Sequence, residues 1–116
     1  MTTRSATRCK ACDYSAFPFS FATNLCPMPL IRPSRDTDIA TITAIYAHHV
    51  LHGTGTFETT PPTEAEMATR RADVLSKGLP YLVVEHAGDV VGFAYGNWFK
   101  PRPAYRFSAE DSIYLA

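Results

Sequence analysis

Apolar positions recur with the spacing of regular elements from Leu30 onward, and not before. Leu30-Ile31-Arg32 predicts a short strand closed by Pro33. Asp36 is placed to cap the helix that follows. Ile39, Ile42, Ile45, Tyr46, His49 and Val50 form one apolar stripe on a helix running to about Leu51. Gly53 and Gly55 end it and open the loop Gly53–Glu58. Thr63 and Glu66 stand at capping-box spacing after Pro61-Pro62 and predict a second helix. Ala68, Arg71, Ala72 and Leu75 continue it, and Gly78 stops it. Tyr81–Glu85 and Val90–Tyr95 read as strands joined by a turn at Ala87-Gly88-Asp89. Lys100-Pro-Arg-Pro-Ala104 is a stiff connection to a third long strand, Tyr105–Ala116. The order β-α-α-β-β-β predicts an α/β (α+β) domain, a sheet with helices packed against it, over residues 30–116.

Residues 1–29 are different. Pro18, Pro27 and Pro29 interrupt every period, and all three cysteines, Cys9, Cys12 and Cys26, lie there. Three readings compete: a targeting segment, a zinc knuckle on Cys9-Lys-Ala-Cys12, and a disordered or mis-started extension. The apolar run is broken by Pro, Ser, Thr and Asn, which argues against the first. One CxxC supplies two of the four ligands that zinc needs, which weakens the second. The third is preferred, with Met28 as a native start. Composition supports one globular domain: 116 residues, 46% apolar and 19% charged. Eleven basic residues balance eleven acidic ones, so neither a nucleic-acid nor a membrane-surface partner is expected. An Ile/Tyr/Leu-rich strand at the chain terminus would leave an apolar edge, so the fold is expected to be incomplete at Ala116.

From Ile31 to Ala116 the chain resembles the GNAT superfamily of N-acetyltransferases, and within it the phosphinothricin and methionine sulfoximine N-acetyltransferase family. The resemblance is carried by Ile31-Arg32-Pro33, Ala44-Ile45-Tyr46, the loop Gly53-Thr-Gly-Thr-Phe-Glu58, Leu79-Pro-Tyr-Leu-Val83, Val91-Gly-Phe-Ala-Tyr95 and Phe99–Leu115. It implies a GNAT-like mixed sheet and acetyl transfer from acetyl-CoA to the amine of a small amino-acid-like acceptor, without a metal. It also implies a cytoplasmic protein and a homodimer at full length. The family's pyrophosphate loop, Arg/Gln-x-x-Gly-x-Gly/Ala, occurs nowhere in these 116 residues. Such a loop binds phosphates through backbone N–H groups at a helix N-terminus. The chain is therefore expected to be the N-terminal, acceptor-binding portion, inactive by itself, with a non-catalytic binding module as the alternative.

The resemblance places Glu110 as general base in Ala-Glu-x-Ser-Ile-Tyr, where burial would raise its pKa toward neutrality. It places Phe57, Lys100, Arg102 and Tyr105 around the acceptor. Cations suit a carboxylate or phosphinate, and aromatic rings suit the aliphatic part. It places the main chain of Ile113, Tyr114 and Leu115 along the pantetheine arm of acetyl-CoA. His48, His49 and His52 invite a metal reading, His48 and His52 being four apart on one helix face, but no carboxylate stands at zincin spacing, and they read as helix-surface or core-edge residues.

Overall fold

The computed structural model describes residues 27–116. The readings placed on the leader's cysteines and on residues 1–26 lie outside the described residues. Residues 27–29 carry no regular structure, and Met28 is exposed.

Strand β1 (Leu30–Pro33), helix α1 (Ile39–His52), helix α2 (Glu64–Ser76) and strands β2 (Tyr81–His86), β3 (Asp89–Trp98) and β4 (Ala109–Leu115) follow the predicted order. They form one four-stranded sheet, β1-β2-β3-β4, with every pairing antiparallel. The β2–β3 hairpin closes through Ala87 and Gly88, both at positive φ (52° and 84°), the geometry whose twist matches paired strands.

Both helices cover the same face of the sheet. Ile42, Ile45 and Tyr46 of α1, with Met67 and Val74 of α2, pack on Tyr81, Val83 and Phe93. Ile42, Val83 and Phe93 are the largest side chains withdrawn almost completely from water. Each such burial stabilises the fold by about 1.5–3 kcal/mol. The Tyr81, Phe93, Tyr95 and Tyr114 rings run across the sheet in stacked contacts 5.1–6.3 Å apart.

Two expectations are corrected. Asp36 does not cap α1. It opens a short 3-10 turn, Asp36–Asp38, and Asp38 stands at the N-cap position without a side-chain cap bond. Its carboxylate is taken instead by the Arg32 guanidinium, at 2.8 and 2.9 Å, and by the Arg35 N–H at 2.7 Å. Ala68, Arg71, Ala72 and Leu75 lie within α2 as expected, Ala68 and Leu75 on its exposed side. The inward residues are Met67 and Val74, with Arg71 between them. Arg71 lays its stem inward and donates to Ser34 Oγ, Ser34 C=O and Asp36 Oδ1 at 2.7–2.8 Å. The last strand begins at Ala109 instead of Tyr105, because Pro103–Tyr105 coils into a 3-10 turn. Proline pre-sets φ for such a turn and cannot donate to a ladder.

Candidate active site

The β3–β4 connection carries most of the predicted acceptor residues. Lys100, Arg102 and Tyr105 line one recess of about 260 Å3, together with Trp98, Pro101, Pro103 and Arg106. The prolines bear on the shape: neither can donate to a ladder, and Pro103 opens the 3-10 turn that ends at Tyr105. Lys100 Nζ lies 5.0 Å from the Phe99 ring centre and 5.3 Å from that of Tyr105. Those rings meet edge to face at 5.6 Å. Arg106 sits 4.5 Å over the Phe107 ring. Lys100, Arg102 and Arg106 belong to none of the ion pairs among the described residues. Their charge is left to attract an anion.

Sequence reasoning missed Arg106 and Trp98 as wall residues. The signal was present as a third cation four positions past Arg102, a spacing one turn brings together. Phe57 is not part of this recess. It stands fully exposed on the loop after α1 (103%), where no neighbour covers its ring.

Glu110 is on β4, opposite Asn97. Strand alternation puts it on the helix-covered face with Ser112 and Tyr114. It is exposed, so the expected burial is not met. Asp111 points to the other face, as expected.

Strand β4 pairs only with β3 among the described residues, which leaves its outer edge open. The Ala116 N–H donates to Val91 C=O at 2.9 Å. Antiparallel alternation then turns the main chain of Tyr114 toward β3 and that of Ile113 and Leu115 toward the open edge. The Leu115 carbonyl is already taken by His49 Nε2, 2.8 Å away, so Ile113 N–H, Ile113 C=O and Leu115 N–H are the edge groups left. The Tyr114 side chain packs on Tyr46 (5.1 Å), His49 (5.4 Å) and Phe93. Burial, then the neighbouring Tyr95, pushes its hydroxyl up to about 12, so it is a neutral donor at physiological pH.

His48 and His52 approach each other, with ring centres at 5.0 Å, and both are exposed. No group of three or more potential metal ligands forms among the described residues. No described helix is long and apolar enough to cross a membrane.

No family model matches the chain. It is 55% identical over 86 residues to a phosphinothricin N-acetyltransferase of Alcaligenes faecalis, a match covering 74% of this chain and 44% of the relative. It is 37% identical over 87 residues to an L-methionine sulfoximine/L-methionine sulfone acetyltransferase of Salmonella typhimurium, covering 73% of this chain and 50% of that protein. The chain thus spans about half the length of the curated relatives it matches. A crystal structure of a GNAT superfamily phosphinothricin acetyltransferase from Sinorhizobium meliloti, in complex with AcCoA, superposes with a TM-score of 0.73 at 46% identity. That match covers 76% of this chain and 48% of that one.

Proposed function

The chain belongs to the GNAT superfamily, to the phosphinothricin and methionine sulfoximine N-acetyltransferase family, and matches the N-terminal portion of its members; from this premise we propose that it supplies the acceptor-binding part of an enzyme that acetylates the amine of a small, anionic, amino-acid-like substrate. The observation that carries the reading is the recess of Lys100, Arg102 and Arg106, three cations without acidic partners among the described residues, beside aromatic walls. That is receptor chemistry for a carboxylate or phosphinate on a short aliphatic body.

In this reading Glu110 removes the proton from the acceptor's ammonium, directly or through one water. The freed amine attacks the thioester carbonyl of acetyl-CoA. The C–S bond breaks, the sulfur leaves with the electron pair, and it takes up the proton that the attacking nitrogen sheds to give the amide and a free thiol. Lys100 and Arg102 orient the acceptor, with Tyr105 against its carbon chain. Phe57 would join only if its loop closes over the acceptor. The pantetheine arm suits the open β4 edge, where Ile113 offers both a donor and an acceptor and Leu115 a donor. Tyr114 lies beneath as packing and as a hydroxyl donor. The 116 residues hold no Gly-rich phosphate cradle, so a polypeptide of this sequence alone is expected to bind the acceptor and not to turn over. No metal is needed for this chemistry. We place the working enzyme in the cytoplasm as a homodimer, with no nucleic-acid or membrane partner.

The test joins residues 28–116 to the C-terminal half of the Alcaligenes faecalis relative and assays acetyl transfer to phosphinothricin and methionine sulfoximine. The chimera should turn over. Glu110→Gln should lower its kcat by roughly 10²- to 10⁴-fold, the usual worth of a general base. Arg102→Ala should act mainly on KM for the acceptor. An active chimera indifferent to Glu110→Gln would remove that residue from the mechanism. An inactive, folded chimera would sink the acetyl-transfer reading.

A further inference from the structure

The last turn of α1 holds three of the chain's four histidines, His48, His49 and His52, and acetyl transfer uses none of them. Their roles divide. His49 is the one of the three whose ring makes a hydrogen bond among the described residues, from Nε2–H to Leu115 C=O at 2.8 Å, and that ring lies 5.4 Å from Tyr114. It pins the end of the helix to β4. His48 and His52 stand on the exposed side, one turn apart. Neither joins an ion pair among the described residues. Their ring nitrogens are left for a ligand from solvent.

The spacing of the two rings can be compared with that of imidazoles sharing one metal ion. With a metal–nitrogen bond of about 2.1 Å and about 1.1 Å more to the ring centre, two such rings stand roughly 4.5 Å apart at a right angle and roughly 5.2 Å apart at a tetrahedral angle. The centres of His48 and His52 are 5.0 Å apart, between those limits, and the rings are tilted by 48° instead of stacked. One ion therefore fits between them without any change in the helix. The backbone that sets this spacing is held from behind, since Ile42, Ile45 and Tyr46 of the same helix are core residues. Position adds a further contribution. The C-terminal end of a helix carries partial negative charge and favours a cation.

We propose that His48 and His52 form a two-histidine surface site for a divalent transition-metal ion of the nickel, copper and zinc group, its remaining positions taken by water. Imidazole suits these ions, whereas magnesium and calcium prefer oxygen. His49 acts as the positioning residue, through its bond to Leu115. The site takes no part in acetyl transfer, and its test is independent of that reading.

The probe is Ni2+, titrated by calorimetry into the 116-residue chain after its three cysteines are capped with iodoacetamide, which keeps thiolates from competing. One ion should bind per chain, and Mg2+ should give no heat of binding. His48→Gln and His52→Gln should each bind Ni2+ roughly tenfold more weakly or worse, because the second imidazole no longer acts within the same molecule. His86→Gln, which removes the one histidine outside α1, should keep the full affinity. Unchanged affinity in a folded His48→Gln or His52→Gln chain, or loss of binding in His86→Gln, overturns the proposal. Equal binding of Mg2+ and Ni2+ overturns it as well. Should a variant at 48 or 52 fail to fold, the His86→Gln chain decides: saturating Ni2+ should raise its thermal midpoint, and an unmoved midpoint refutes the site.

Discussion

Arg32 ties three elements together. It spans from β1 to Asp38 at the entrance of α1 and to Glu85 on β2, whose Oε1 accepts from Arg32 Nε at 2.7 Å. Asp38 is buried, and the hydrogen bonds from Arg32 hold its carboxyl below the ordinary range, against the opposing effect of burial. A carboxyl depressed in the folded state contributes stability above its unfolded pKa of about 3.9 and loses it as pH falls through the lower folded value. The chain should therefore hold its thermal midpoint down to about pH 4 and lose stability progressively below it. Asp38→Asn should already be destabilised at neutral pH and show a flatter acid limb. Circular dichroism melts of both proteins across that range check this; parallel limbs would assign the acid sensitivity to other groups.

At the scale of elements, caps and turns carried the most information. Thr63-x-x-Glu66 predicted the start of α2, and the structure closes the box in both directions: Glu66 N–H to Thr63 Oγ1 at 3.3 Å, and Thr63 N–H to Glu66 Oε2 at 2.7 Å. The Thr63 bonds also keep the Glu66 carboxyl below its usual value. Thr63→Ala should cost about 1 kcal/mol, read from a urea midpoint at unchanged slope. Asp36 and Tyr105 misled for different reasons: a distant partner decides the first, and neighbouring prolines decide the second. Arg71 claims Asp36 from α2, and the prolines at 101 and 103 override the extended preference of Tyr105. For the site, Lys100, Arg102 and Tyr105 were legible because they lie close along the chain. The Glu58–Arg70 ion pair was not, since its partners stand twelve residues apart and meet only through the fold.

The whole molecule is one-sided. Helices cover one face of the sheet, while on the other Ile31, Leu82, Val84, Ala94, Ile113 and Leu115 line a shallow apolar trough of about 270 Å3. Ile31, Ile113 and Leu115 are more than half exposed, at 68%, 65% and 58%. Apolar exposure of this kind, next to an open strand edge and with zero net charge to oppose contact, promotes association. The 116-residue chain should sediment as concentration-dependent oligomers, and Ile113→Thr with Ile31→Thr should shift it toward monomer. A monomer at all concentrations would show that the trough is not sticky.

Trp98, the single tryptophan of the chain, stands on the wall of the cationic recess. It is 43% exposed, and Tyr105 shares the wall. The recess thus contains its own optical probe. An anion that settles between Lys100 and Arg102 changes the field and the hydration felt by one indole, and no other indole dilutes the signal. Emission wavelength and quenching by iodide then report occupancy of that one place directly, without a label.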